Sequence, residues 1–325
     1  MQYTTLGNTD IKISKICAGC MSFGDNSTNF HDWTLDYQQS KAIIKEALAM
    51  GINFFDTANI YSAGTSEEFL GKALKELEVE RSEVVIATKV YFNEGKLSAE
   101  AIAREVEESL KRLQTDYIDL YIIHRFDYST PIEQTMEALH KLVVSGKVKA
   151  IGASAMYAYQ FHNMQEVASK NGWTQFSSMQ NHYNLLYRED ERELFPVCQQ
   201  FNTSLTPYSP LASGRTARVQ WESKSMRSQS DKTAVAKYDS TKNEDQKIVK
   251  RIKELADKYQ VTMSQISLAW HFAKGISSPI IGANKIQYLQ EAVFSLDIKL
   301  TAEDIAYLEE LYLPHNLVGL LPHNK

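Results

Sequence analysis

Hydrophobic positions along this chain alternate between two periods. In some stretches they recur three or four residues apart, as in Ile102, Val106, Leu110 and Leu113, then Ile132, Met136, Leu139 and Val143, and later Ile248, Ile252, Leu255 and Tyr259. That spacing lays one apolar stripe along an α-helix. Between these stretches lie short apolar bursts with no helical period. They run Ile16 to Cys20, Ile52 to Phe55, Val84 to Ala87, Tyr117 to Ile123, Lys149 to Gly152, Phe176 to Met179, Ser204 to Tyr208 and Pro279 to Ile281. Unbroken apolar strands are expected where a parallel sheet is covered on both faces. Eight strand–helix units without a compositional break favour a closed (β/α)8 barrel over an open doubly wound sheet, and a single domain over 1–325. Ahead of them, Tyr3 to Leu6 and Ile11 to Ser14 flank Gly7-Asn8-Thr9-Asp10, which predicts an N-terminal β-hairpin able to plug one barrel end. Residues 212–245 are polar and carry no apolar period, so a long loop is expected there. Such a loop is either functional or a tolerated surface insertion.

Composition excludes more than it assigns. A formal net charge of -5 gives no general attraction to nucleic acid or to an anionic membrane. No apolar run approaches the ~18 residues that span a bilayer, and Met1 to Thr5 lacks the features of a secretory signal, so a cytoplasmic protein is expected. Cys17 and Cys20 spell C-x-x-C, but no second pair of soft ligands at a suitable spacing accompanies them. In a strand, a three-residue offset turns the two thiols to opposite faces. Structural cysteines and no metal are expected.

In a β/α barrel, chemistry sits where strands end and the following loops begin. Asp56 follows one burst, Lys89 the next and His124 the third, while Tyr61 shares the loop of Asp56. Packing or helix capping would account for Tyr61, Asp56 or His124 taken singly. Lys89, between Thr88 and Val90, is harder to dismiss, because burying an ammonium without a partner is costly and Asp56 can supply one. A phenol with an unperturbed pKa near ~10 releases its proton more readily beside such a charge. His124 would orient a carbonyl or share in the proton transfer. The set can protonate a carbonyl oxygen, but no side chain delivers hydride, so a nicotinamide is required. Phe23, Trp33, Phe92, Phe126 and Tyr183 are candidate pocket residues, core packing being the alternative for each. An aromatic pocket suits aryl aldehydes, whereas Arg125 would suit a phosphate or carboxylate.

The motifs carrying these residues resemble those of the aldo/keto reductases across essentially the whole chain. They are Gly51-Ile52-Asn53-Phe54-Phe55-Asp56-Thr57-Ala58 with Tyr61, Ala87-Thr88-Lys89, Asp119 to His124, Ile151 to Ser154, Gln180, Tyr208 to Leu211 and Ile280 to Ala283. Gly19 to Gly24 and His124 to Tyr128 are closest to the branch of fungal aryl-alcohol dehydrogenases and of bacterial reductases linked to 1-deoxyxylulose 5-phosphate. The resemblance implies an NADPH-dependent aldehyde or ketone reductase with Asp56, Tyr61, Lys89 and His124 as a catalytic tetrad. It implies that Tyr208 stacks on the nicotinamide, and that Ser154 and Gln180 bond its carboxamide. Ser209, Leu211, Gly214 and Arg215 would follow the pyrophosphate beneath a closing 212–245 segment. Gly282, Asn284 and Lys285 would meet the adenosine phosphate, and Glu291 would lie near the adenine. Ala155 departs from the family, standing where many members carry an asparagine. Two other readings stay open: a nucleotide-sensing binding subunit on the same fold, and a phosphosugar lyase or synthase without hydride transfer. The sequence carries no sign of oligomeric state.

Overall fold

The computed structural model describes residues 1–28, 30–221 and 232–321. Tyr3–Thr5 (β1) and Lys12–Ser14 (β2) pair antiparallel as the expected hairpin. Each apolar burst then becomes a strand of one parallel sheet. The strands are Cys17–Gly19 (β3), Phe54–Asp56 (β4), Val85–Val90 (β5), Ile118–Ile123 (β6), Val148–Ser154 (β7), Phe176–Gln180 (β8), Ser204–Leu205 (β9) and Ile280–Gly282 (β10). Neighbours follow chain order from β3 to β9, and β10 pairs with β3, Ile280 facing Cys17. The remaining seam closes through Ile280 N–H to the Pro207 carbonyl at 2.9 Å and Ser277 N–H to the Leu205 carbonyl at 3.1 Å. The sheet is thus the eight-stranded barrel that the alternation predicts.

Helices alternate with these strands: Tyr37–Ala49 (α1), Thr65–Glu76 (α2), Ala99–Leu113 (α3), Ile132–Val144 (α4), Ala158–Asn171 (α5) and Leu194–Gln200 (α6). Lys232–Tyr238 (α7), Lys242–Tyr259 (α8), Met263–Ala273 (α9), Ile286–Ser295 (α10) and Ala302–Glu309 (α11) complete the described set. The stripe Ile102, Val106, Leu110 and Leu113 is the buried face of α3, and Ser98 starts that helix by accepting a bond from Ala101 N–H. Among the described residues no helix is long and apolar enough to cross a membrane.

The hairpin fills the bottom of the barrel. Leu6 and Ile13 have no exposed surface and pack with Cys17, Phe54, Val85, Ala87, Leu120, Ile122 and Ala150. At the turn, Gly7 has φ +52°, and a Cβ there would come within 2.2 Å of the Ser177 carbonyl oxygen, so the approach needs glycine. The C-x-x-C pair divides as strand geometry requires. Cys17 faces this inner cluster, Cys20 belongs to the layer between sheet and helices, and both are buried free thiols.

The expectation of an unbroken loop over 212–245 is corrected. A 3-10 turn spans Ala212–Ala217, α7 follows, and α8 already begins at Lys242. Ala234 and Tyr238 lie one helical turn apart and are both buried, Tyr238 among Ala212, Trp221 and Ile248. Two apolar residues suffice to seat a seven-residue helix, yet they are too few to show as a period. Residues 222–231 of that segment, with Lys224 and Arg227, lie outside the described residues.

Candidate active site

Three adjacent strands bring the expected tetrad together. Asp56 is the last residue of β4, Lys89 the penultimate residue of β5, and His124 follows β6 directly. Tyr61 opens a tight turn in which Ser62 (φ 47°) and Ala63 (φ 54°) hold left-handed backbone. Strained conformations of this kind are retained where the surroundings over-determine them. Lys89 is fully buried and uses its three donors on three partners. They are Asp56 Oδ1 at 2.5 Å, the Thr57 carbonyl at 2.7 Å and the Tyr61 hydroxyl at 3.3 Å. Asp56 Oδ2 in turn accepts from Gln180 Nε2 at 2.8 Å.

Electrostatics sort these groups into roles. Burial acts to lower the Lys89 pKa, but Asp56 and Tyr61 outweigh it and leave the ammonium above its usual value. Burial pushes the Tyr61 phenol upward, with Lys89 opposing. The sequence predicts a phenol lowered by Lys89; in the folded site desolvation wins, and Tyr61 is held protonated. A phenol in that state is able to act as a general acid, and an ammonium 3.3 Å away is able to stabilise its anion. Burial, then Lys89 and Arg125, drive His124 well below the usual histidine range, so the imidazole is neutral. Its Nδ1 is buried without a partner. The His124 ring stands edge-on to Tyr61 and to Phe92, at centroid distances of 5.9 and 5.0 Å.

The candidate pocket residues separate into two groups. Phe92 is 45% exposed beside His124, Arg125 follows His124, and Phe126 packs on Tyr128 at 4.9 Å. Trp33 stacks on His31 at 4.1 Å. Phe23 and Tyr183, in contrast, are fully buried in separate core clusters. Phe30, which the sequence reading passed over, places its ring 6.0 Å from Tyr61. The aromatic run Phe30-His31-Asp32-Trp33 was the available signal.

The candidate cofactor residues sit at the ends of β7 to β10. Ser154 Oγ is buried with no hydrogen-bond partner. Gln180, expected at a carboxamide, is engaged by Asp56. Tyr208 stacks on His182 at 5.2 Å, and Lys237 Nζ lies 4.8 Å from its centroid. Ser209 (φ 54°) offers its carbonyl to Asn184, and the Leu211 carbonyl accepts from Gly214 N–H at 2.7 Å. Arg215 pairs with Asp239 at 2.8 Å, its guanidinium about 5 Å from the rings of Trp221 and Tyr238. Gly282 ends β10, and Asn284 and Lys285 lead into α10 with Lys285 exposed as its N-cap residue. Glu291, within α10, accepts from Thr262 Oγ1 at 3.4 Å.

The C-terminal segment crosses this end of the barrel, a placement with no sequence signal of its own. Tyr128 donates to the Leu321 carbonyl at 2.7 Å, and Val318 N–H donates to the Tyr187 hydroxyl at 3.2 Å. A Cβ at Gly319 would lie 2.6 Å from the Tyr208 hydroxyl. Among the described residues no cluster of three His, Cys, Asp or Glu side chains suits a metal ion. What the arrangement provides is a protonated phenol, a buried ammonium able to stabilise its anion and a neutral imidazole, side by side at the ends of adjacent strands.

The profile of the aldo/keto reductase family matches residues 15–313. Versiconal hemiacetal acetate reductase of Aspergillus parasiticus is 42% identical, over 97% of this chain and 98% of that protein. A Schizosaccharomyces pombe protein named as an aryl-alcohol dehydrogenase is 41% identical, over 98% of this chain and 97% of its own. One of the same description from Saccharomyces cerevisiae is 40% identical, over 95% and 96%. This chain belongs to the aldo/keto reductase family, whose chemistry is the oxidoreduction of carbonyl groups.

Proposed function

We propose that this protein reduces aldehydes or ketones to alcohols, reversibly, with NADPH as reductant and Tyr61 as proton donor. The observation that carries the reading is the Lys89 ammonium, fully buried, paired with Asp56 at 2.5 Å and within 3.3 Å of the Tyr61 hydroxyl. The residues at the barrel mouth fit a nicotinamide dinucleotide. Ser154 Oγ, buried and unbonded, suits a carboxamide, the Tyr208 ring suits a stacked pyridine, and the Lys285 ammonium suits a 2′-phosphate. When bound, NADPH would supply hydride from nicotinamide C4 to the carbonyl carbon.

The chain's own residues would do the remainder. His124, neutral and fixed edge-on to Tyr61, would hold the carbonyl oxygen near the phenol. Tyr61 would pass its proton to that oxygen as negative charge develops on it. Lys89 would stabilise the phenolate left behind, and Asp56, held by Gln180, would keep Lys89 charged. The names of the Schizosaccharomyces and Saccharomyces relatives favour aryl aldehydes among possible substrates.

Titration of the protein's tryptophan fluorescence with NADPH, followed by NADPH oxidation with benzaldehyde and other aldehydes, tests the proposal. Saturable quenching and aldehyde-dependent oxidation are expected. Binding without turnover across an aldehyde and ketone panel would favour a nucleotide-binding subunit instead.

A further inference from the structure

We infer that Arg125 anchors an anionic group, a carboxylate or a phosphate, carried by the carbonyl substrate. This rests on the reductase reading and names the substrate class for the same site. Arg125 directly follows His124, and its Nη1 donates to the His124 carbonyl at 2.6 Å. That is one of five N–H donors a guanidinium carries. The guanidinium carbon lies 5.7 Å from the centroid of Phe92, whose exposed ring also meets His124 edge-on. Arg125 is half-buried beside the tetrad, just past the end of β6, whose neighbours in the sheet are β5 and β7.

Its charge is unbalanced. Among the described residues no carboxylate lies within ion-pair distance of Arg125. The nearest acid along the chain, Asp127, is already consumed. It accepts from Ser129 N–H and Oγ, from Thr130 Oγ1 and from Leu97 N–H, and Lys96 lies 3.9 Å away. Of the other cationic groups at the tetrad, Lys89 is neutralised by Asp56, and His124 is uncharged. The guanidinium's field reaches the candidate proton donor, since it acts to lower the pKa of the Tyr61 phenol against the larger effect of burial, and it acts in the same way on Tyr208. A half-buried arginine with free donors and no counter-ion is costly unless an anion arrives to meet it, and its fork suits a planar carboxylate or a phosphate equally.

The test compares two matched pairs: 4-carboxybenzaldehyde with benzaldehyde, and glyceraldehyde 3-phosphate with glyceraldehyde. In the unaltered enzyme, kcat/KM for the anionic member of at least one pair exceeds that for the neutral member, and the pair that responds identifies the anion. In Arg125→Gln that preference falls about ten- to a hundredfold, chiefly through KM, and Arg125→Lys lies between. A preference unchanged in Arg125→Gln, with all aldehydes slowed alike, would make Arg125 a clamp on the His124 backbone and overturn the inference. An NADPH Kd, read by fluorescence, weakened by the same factor would assign the charge to the dinucleotide and overturn it as well. If no aldehyde of either pair is reduced by the unaltered enzyme, the reductase reading itself fails and this inference falls with it.

Discussion

A Tyr61→Phe substitution removes one hydroxyl and leaves the ring against Phe30 and His124. Turnover is expected to fall roughly 10²–10⁴-fold, the share that general acid catalysis contributes, while NADPH still quenches protein fluorescence. Near-normal turnover would move the proton donor elsewhere. That Asp56, Tyr61, Lys89 and His124 lie together was legible in the sequence chiefly through Lys89, the one member that packing or capping does not explain. Lys89 interrupts an apolar strand, and a buried ammonium has to have a partner within reach. The family resemblance singled out Gln180, but nothing in the sequence announced its bond to Asp56. That contact depends on how far an amide reaches across the barrel mouth, from β8 to β4, and nothing local to either strand encodes it. The same holds for His182, which backs Tyr208 with a parallel ring only because two successive strands end at the same height.

Between elements, small residues set distances that no propensity scale anticipates. Gly71 lies inside α2, where alanine would ordinarily add up to about 1 kcal/mol of helix stability. Here, a Cβ would meet the Leu113 carbonyl oxygen at 2.3 Å and its carbonyl carbon at 2.5 Å, both backbone atoms of α3. Backbone atoms cannot rotate away, so overpacking decides the sign. Gly71→Ala is expected to destabilise by about 1–3 kcal/mol in urea unfolding, and a gain would mean that α2 and α3 slide apart freely. Most elements were readable because burial gives them a regular period, α3 being the clearest. The short α7 was not, since its seven residues bury too few side chains to repeat a pattern.

At the scale of the whole molecule, the C-terminal segment is tied across the barrel mouth by charge. His315 Nε2 contacts Asp245 Oδ1 at 3.0 Å, its ring stacks on Tyr312 at 5.4 Å, and Glu189 accepts from His315 N–H and from the Tyr312 hydroxyl. Burial acts to lower the His315 pKa, but Asp245 outweighs it, and the folded value is raised. A raised histidine pKa stabilises the fold fully below about pH 6.5, and that contribution is lost as pH rises through the folded value. The melting temperature of the unaltered protein should therefore exceed that of His315→Gln by roughly 1–3 °C more at about pH 5.5 than at about pH 9. A gap independent of pH would mean that the contact acts only through packing. The ring closure has a different consequence, which belongs to synthesis. β3 leaves the ribosome among the first strands, whereas its partner β10 is made only after β4 to β9. Until β10 is made, β3 keeps one raw edge, and Leu6 and Ile13 have no finished barrel to fill. The nascent chain thus offers a pairing edge and an apolar hairpin to chaperones, or to neighbouring chains, until β10 arrives.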